Sequence, residues 1–190
     1  MRLPYTPDLP VRTERLELRE FRADDYDALL AFHSDPDNVR YVPFAARTPE
    51  DMRVALDRKR GGTSLTGDGE GEHLDLAAVL HDGTLVGDLV VMLHSVVHDT
   101  VEVGWIFDPA HGRRGYATEA VRALLDLVFT GLGARRAVAR VDARNAASSR
   151  LCERVGMRQE GHLVENEVFK GELSSEYDYG LLAREWPVPG

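Results

Sequence analysis

The segment from Pro109 to Ala120 constrains the fold of this chain most, because it joins a strand pattern to a helix pattern through a turn rich in glycine and arginine. Residues 100–107 before it form a strand-like run. Apolar residues then recur at helical spacing, at Val121, Leu124, Leu125 and Val128. The first N–H groups of a helix lack partners within the helix and carry partial positive charge. The turn therefore predicts an anion site, to which Arg113 and Arg114 add full charge.

Two familiar phosphate-binding turns do not fit this segment. A P-loop needs a lysine after its second glycine, and the only lysines, Lys59 and Lys170, follow no suitable glycine. A dinucleotide fingerprint needs three spaced glycines between a strand and a helix. Gly131 and Gly133 end a helix pattern instead, and Arg136 stands where the third glycine belongs. For the segment alone, an ordinary strand-to-helix turn with a glycine stays an alternative.

The turn resembles the pyrophosphate loop of the GNAT N-acetyltransferases, whose pattern is [QR]-x-x-G-x-[GA]. The match is Gly112-Arg-Arg-Gly115-Tyr-Ala117, with Gly112 in place of the first Gln or Arg. That departure removes a side chain and leaves the backbone cradle, so we expect it to be tolerated.

The resemblance continues in order over about residues 13–186 and is nearest to the RimJ/RimL branch, the ribosomal-protein N-terminal acetyltransferases. Its further matches are a first strand (13–21), a fourth strand (101–105), an N-x-x-S helix ending in glycine (145–148 and 152–157) and a last strand (181–186). It implies one N-acetyltransferase domain over 1–190, with residues 1–12 as an N-terminal extension.

The element order along the chain is predicted as β-α-α-β-β-β-α-β-α-β-β. Thr48 is predicted to cap the second helix, and the main helix is predicted over about 118–131. The glycine-rich residues 61–71 form a connector or, alternatively, a lid. This order predicts a mixed α/β protein. The GNAT resemblance implies a mostly antiparallel central sheet of about six to seven strands, flanked by about four helices, with a β-α-β acetyl-CoA-binding core.

Composition limits the classes of partner. The formal net charge of −9 disfavours nonspecific nucleic-acid binding. An acidic surface suits a cationic acceptor, although it also serves solubility alone. No apolar run approaches the roughly 20 residues of a membrane span, and no secretion signal is evident. The single cysteine, Cys152, lies on an apolar helix stripe and is expected in the core. A cytoplasmic protein is the resulting expectation.

Basic residues cluster locally in the sequence and suggest a basic island around a polyphosphate. The island consists of Arg113, Arg114, Arg135, Arg136, Arg140 and Arg144.

Glu102 is the candidate general base. Strand alternation places Glu102, Gly104 and Ile106 on one face, and an acid between two valines is out of place unless it faces a cleft. In the resembled family this strand separates from the next one, the pantetheine arm lies between them, and a glutamate at this position serves many members as base. A surface or paired carboxylate is the alternative.

Ser148 matches the serine that, by resemblance, protonates the leaving thiolate, and Asn145 matches a pantetheine contact. The alternative is that Ser148 is a first-turn helix residue and Asn145 is the N-cap. Ile106 and Phe107 match strand-end contacts to pantetheine, and backbone N–H groups near Phe107 match the oxyanion site. The cofactor-binding turn comprises Gly112, Arg113, Arg114, Gly115, Tyr116, Ala117 and Thr118, the last also predicted to cap the helix.

The resemblance thus implies an acetyl-CoA-dependent transferase that releases CoA and acts directly on a primary amine, on a protein N-terminus or a small molecule. It also implies a homodimer. A non-catalytic acyl-CoA-binding module is the alternative. No metal is expected, since His94 and His98 on an extended strand would lie roughly 13 Å apart.

Overall fold

Eight strands form one sheet in the computed structural model, which describes residues 1–187. The strand order is β1-β2-β3-β4-β5-β6-β8-β7. The strands are Val11–Arg12 (β1), Leu16–Arg19 (β2), His73–Leu80 (β3), Leu85–Ser95 (β4), Thr100–Phe107 (β5), Arg136–Asp142 (β6), Arg158–Phe169 (β7) and Glu172–Leu182 (β8). All neighbours pair antiparallel except β5 and β6, which are parallel.

The predicted mixed α/β fold is confirmed, with one strand more than expected. The additional strand is β1, which pairs with β2 inside the segment predicted as an N-terminal extension. A two-residue strand is too short to produce an alternating pattern, so β1 could not be predicted from hydrophobic periodicity. The last three residues of the predicted domain, 188–190, lie outside the described part of the chain.

Four α-helices flank the sheet within residues 1–187. They are Tyr26–His33 (α1), Pro49–Gly61 (α2), Tyr116–Asp126 (α3) and Ala146–Arg154 (α4). The cap predicted for α2 is present, because Thr48 Oγ1 accepts from Asp51 N–H at 3.2 Å while the Asp51 carboxylate accepts from Thr48 N–H.

The main helix, α3, begins two residues earlier than predicted. Its N-cap is Gly115, with φ of +83°, so the helix starts at Tyr116 and not near Thr118. The expected capping role of Thr118 is wrong, because Thr118 lies inside the first turn, where its hydroxyl accepts from Arg154 Nε at 3.2 Å. After Asp126 the helix widens into one π-helical stretch, Leu127–Leu132.

The sheet separates two apolar clusters. α3 and α4 cover one face, where Cys152 is fully buried. The other face lies under α1 and α2. Residues of β5 alternate between the two, since Val101 and Val103 pack in the first cluster and Ile106 in the second. The face assignment predicted for this strand is therefore correct.

The two parallel strands, β5 and β6, stay together for only three residues. Pairing covers Thr100 with Arg136, Val101 with Ala137 and Glu102 with Val138, and then ceases. On their outer sides, β5 still pairs with β4 as far as Phe107, and β6 pairs with β8 as far as Asp142. The middle of the sheet therefore opens into a wedge.

Candidate active site

The wedge leads into a cavity of about 390 Å³. At one end the cavity is lined by the unpaired parts of β5 and β6 and by the start of α4. The other end is lined by the α1–α2 connection, the end of α2, and strands β3 and β4. Glu102 lies at the point where β5 and β6 separate.

Glu102 lines this cavity as a largely buried carboxylate with basic neighbours. Its side chain is 13% exposed, and Oε2 accepts from Arg140 Nε at 3.1 Å. His94 Nδ1 lies 3.8 Å from the same oxygen. Burial lowers the pKa of Arg140, but the Glu102 charge raises that pKa by more, so the net shift is upward. Glu102 thus has the position that each alternative expects, because it is ion-paired and also faces a cleft, and its role as base stays a prediction.

Ser148 and Asn145 reach the cavity from the N-terminus of α4. Asn145 is the helix N-cap, with Oδ1 accepting from Ser148 N–H at 3.1 Å. Ser148 Oγ lies 3.3 Å from Trp105 Nε1, which donates to it. An oxygen that accepts from Trp105 keeps its own O–H free as a donor.

Backbone N–H groups of β5 are directed into the wedge. Asp108 N–H donates to Val86 C=O at 3.0 Å, on the β4 side. Because N–H groups alternate in direction along a strand, those of Trp105 and Phe107 point the other way, toward β6. Gly104, also on the cavity wall, leaves the space beside Val90 free; a Cβ there would meet Val90 Cγ1 at 3.0 Å.

The predicted anion-binding turn connects β5 to α3. Asp108 caps a short 3₁₀ turn, Pro109–His111, by accepting from Ala110 N–H at 2.9 Å. The chain then passes through Arg113, with φ of +61°, and Gly115, also left-handed. No side chain caps α3, so its first N–H groups remain available. The side chains of Arg113 and Arg114 are exposed at this turn.

Hydrogen bonds that were not predicted from the sequence hold this turn in place. Arg15 Nη1 donates to Arg114 C=O at 2.8 Å, and Arg15 Nε donates to Glu119 Oε2 at 2.7 Å. Thr13 Oγ1 donates to Glu119 Oε1 at 2.6 Å. Burial raises the pKa of Glu119, but the hydrogen bonds from Thr13 and Arg15 lower that pKa by more. Glu119 therefore ties the first turn of α3 to the start of β2.

The predicted basic island is largely neutralised. Arg136 pairs with Glu160, Arg140 with Glu102, and Arg144 with Asp142 and Glu172. Arg136 and Arg140 lie on β6 and Arg144 follows it, and each of the three lies next to at least one carboxylate. The charge of the turn itself thus comes from Arg113 and Arg114.

The far end of the cavity contains a buried ion cluster that was not predicted. Lys59 Nζ lies 2.8 Å from both Asp75 Oδ1 and Asp88 Oδ1, and all three side chains are at most 6% exposed. His33 Nε2 lies 3.1 Å from Asp88 Oδ2. Asp75 and Asp88 interrupt apolar strand runs in the sequence, and this pattern could have indicated buried carboxylates.

Within residues 1–187, no group of three or more histidine, cysteine, aspartate or glutamate side chains is arranged to hold a metal ion. Among the same residues, no helix is both long and apolar enough to cross a membrane.

Comparison with known proteins assigns the chain to a family. Residues 15–158 match the acetyltransferase (GNAT) domain. An uncharacterized N-acetyltransferase of Bacillus subtilis strain 168, YnaD, is 30% identical over 177 residues, which cover 93% of this chain and 98% of YnaD.

Solved structures agree with this assignment. A GNAT acetyltransferase from Bacillus anthracis superposes with a TM-score of 0.83 at 30% identity, covering 93% of this chain and all of that chain. Mycobacterium smegmatis RimJ, in complex with CoA-disulfide, shares the fold with a TM-score of 0.77 at 22% identity, covering 91% and 84%. RimJ is thus among the structures that share the fold of this chain, and the chain belongs to the GNAT family of acetyltransferases.

Proposed function

We propose that this protein transfers an acetyl group from acetyl-CoA directly to a primary amine, with Glu102 as general base and Ser148 as general acid. The observation that carries the proposal is the wedge between β5 and β6, because Glu102, Ser148 and the free N–H groups of β5 meet there. A small-molecule amine and a protein N-terminal α-amine are both acceptors of this chemical class.

The residues present fit acetyl-CoA. An extended arm with amide groups needs hydrogen-bonding partners along its length, and the unpaired edges of β5 and β6 supply them. Ile106, Phe107 and Asn145 would hold this arm. The turn from Gly112 to Thr118 would hold the pyrophosphate, with N–H groups at the start of α3 and the exposed charges of Arg113 and Arg114. When bound, acetyl-CoA supplies the acetyl group as an activated thioester.

Glu102 would accept the proton that the attacking amine loses. The need for this base depends on the acceptor. About 10% of an α-amine is neutral near pH 7, against roughly 0.04% of a lysine amine. An α-amine therefore needs only weak assistance, whereas a lysine depends strongly on Glu102.

Two donors complete the proposed machinery. The Phe107 N–H, directed into the wedge, would stabilise the negative oxygen that develops on the acyl carbon. The Ser148 O–H would donate a proton to the departing sulfur, since Trp105 already occupies one acceptor site of the Ser148 oxygen.

Thermal unfolding with and without acetyl-CoA tests the cofactor. At about 100 times Kd a ligand adds roughly 2.7 kcal/mol to the free energy of unfolding, which raises Tm by about 5–10 °C for a domain of this size. We expect this rise with acetyl-CoA and none with NADH or ATP. No rise at saturating acetyl-CoA would remove the transferase proposal.

Replacement of Glu102 tests the catalytic assignment. Glu102→Gln keeps the shape of the side chain and removes the base, so we expect turnover to fall by about 10²-fold or more for an acceptor with a lysine-like amine and by less for an α-amine, while the acetyl-CoA shift in Tm is kept. Glu172→Gln, an exposed carboxylate on β8, is the matched control. Unchanged turnover of Glu102→Gln at every pH would exclude Glu102 as base. Acetyl-CoA binding without CoA release for any amine would favour the non-catalytic module.

A further inference from the structure

The far end of the cavity contains a guanidinium without a counter-ion. Arg47 lines this end, and its Nε is buried without a hydrogen-bond partner. Within residues 1–187, no carboxylate lies within 4.0 Å of the Arg47 side chain. The Arg47 side chain is half-buried, and burial and the charge of Arg58 lower the pKa of Arg47 by more than the charges of Asp88 and Asp51 raise it. A partly buried charge that no carboxylate pairs with favours an anion in the cavity.

Arg47 is held in position by an aromatic stack. Its Cζ lies 4.3 Å above the Phe44 ring, which stacks on the His33 ring at 5.2 Å with an interplanar angle of 6°. The backbone N–H of Arg47 also donates to the backbone C=O of His33 at 3.0 Å. His33 is fully buried, so the stack rests on the core. A guanidinium fixed in this way is preorganised to bind a planar anion.

The local charge balance also favours an anion. Three cations, Arg47, Arg58 and Lys59, line this end of the cavity with two carboxylates, Asp75 and Asp88. Lys59 contacts both carboxylates at 2.8 Å, whereas Arg58 lies 3.7 Å from Asp75. One positive charge remains even if His33 and His73 are neutral.

Other nearby acids do not supply the missing partner. Asp51, whose charge also reaches Arg47, is occupied by the Thr48 cap of α2. The overall charge of −9 spreads over the surface, where salt screens it within about 8 Å. Exposed charges beyond that distance therefore contribute less to the selection of the acceptor than the groups that line the cavity.

Sheet register places this cationic end opposite Glu102. His73 pairs with Met92, and Met92 pairs with Glu102, so two strand spacings separate His73 from Glu102. That is about 10 Å between backbones, and the Arg58 guanidinium lies 2.9 Å from the His73 ring. A small molecule can thus place its amine near Glu102 and another group near Arg58, whose charge also reaches Arg47.

We propose that Arg47 and Arg58 bind a carboxylate of the acceptor, which is therefore a small amine carrying a carboxylate, of the amino-acid class. This inference rests on the proposed acetyl transfer and names its substrate class. A purely cationic amine would bring positive charge to a cavity end that already has an excess of it.

The test uses amines in acid and amide pairs: L-glutamate against L-glutamine, and L-methionine against L-methioninamide. With acetyl-CoA as donor, we expect kcat/KM to favour the acid of at least one pair by about 10-fold or more, since the loss of one charge-assisted hydrogen bond weakens binding by about 10- to 100-fold. Arg47→Gln should reduce that acid-to-amide ratio by about 10- to 100-fold, chiefly through KM. Arg47→Lys keeps the positive charge and should therefore retain part of the preference for the acid.

The control variant is Arg60→Gln, which removes an arginine of α2 that does not line the cavity and that lies 3.5 Å from Asp57. Its acid-to-amide ratio should match that of the wild type. Because no carboxylate among residues 1–187 pairs with Arg47, Arg47→Gln loses only the stacking on Phe44 and should unfold within about 4 °C of the wild type.

Binding is measured alongside turnover. With CoA present, the acid of the preferred pair should raise Tm of the wild type and not of Arg47→Gln. If no amine is acetylated yet this selective rise occurs, the proposed acetyl transfer fails and the carboxylate site stands. If amines are acetylated with equal preference for acid and amide, or spermidine exceeds every acid, the carboxylate site is excluded and acetyl transfer stands.

Discussion

The Ser148 hydroxyl shows how one residue fits two sequence interpretations. As a first-turn residue it donates its backbone N–H to the Asn145 cap, which was the structural alternative. Its Oγ is left beside Trp105 and faces the cavity, which suits the catalytic alternative. The two interpretations use different atoms, so the structure accommodates both, and the catalytic role stays a prediction.

Cys152 is predicted to be chemically inert in the native protein. Burial raises the pKa of its thiol to about 12, so only about one thiol in ten thousand is ionised near pH 8. Labelling with a thiol reagent should be very slow in the native protein and complete in denaturant. Rapid native labelling would contradict the buried position of Cys152.

Some residues of the site could be predicted from the sequence and others could not. Glu102 was identifiable because an acid between valines on a strand breaks the apolar pattern. Arg47 was not, since it lies in an irregular connection where no periodicity assigns a direction to the side chain. Only the fold brings it beside Phe44 and Arg58.

Among the elements, the turn into α3 depends on one glycine. Gly115 has φ of +83° and precedes the first helical residue. A side chain there strains the left-handed backbone by about 1–2 kcal/mol. Gly115→Ala should therefore lower Tm by about 2–8 °C and weaken acetyl-CoA binding, which titration with acetyl-CoA would detect.

Gly69→Ala is the matched control for this substitution. Gly69 lies in the loop 62–72, without a left-handed φ and with no atom within 4 Å of an added Cβ. Its Tm and acetyl-CoA affinity should stay at wild-type values. A Gly115→Ala protein equal to this control would show that the left-handed conformation is unnecessary.

Strand faces were predictable, whereas strand pairing was not. Alternation along β5 correctly separated Glu102 and Ile106 from Val101 and Val103, because side-chain polarity records which face is buried. Pairing uses backbone groups that every residue has, so it leaves little trace in the sequence. The end of pairing at Glu102 therefore came only from the resemblance.

At the scale of the whole molecule, the buried ion cluster predicts a stability plateau in pH. Burial raises the pKa of Asp88, but Lys59 and His33 lower that pKa by more. The stabilisation is present above the unfolded pKa of about 3.9 and is lost as pH falls through the lower folded value. Burial lowers the pKa of Lys59, but Asp88 and Asp75 raise that pKa by more. The contribution of Lys59 is fully present below its unfolded pKa of about 10.4 and is lost as pH rises through the higher folded value.

Lys59→Met tests this cluster by leaving two buried carboxylates without their cation. We expect the free energy of unfolding at neutral pH to fall by about 3–5 kcal/mol, measured by urea denaturation. Lys170→Met removes the only other lysine, an exposed residue bonded to Val39 C=O, and should cost about 1 kcal/mol or less. Equal losses in both variants would contradict the importance of the cluster.

The wedge between β5 and β6 removes part of the protection that the centre of a sheet normally has. In most sheets amide hydrogens exchange with solvent deuterium fastest at the outer strands and slowest in the middle. Here the amides of Trp105 and Phe107 belong to a central strand and have no partner strand on the side they face. The amides of Trp105 and Phe107 should therefore exchange with deuterium faster than the β5 amides that β4 protects. A molecule bound in the wedge should slow the exchange at Trp105 and Phe107.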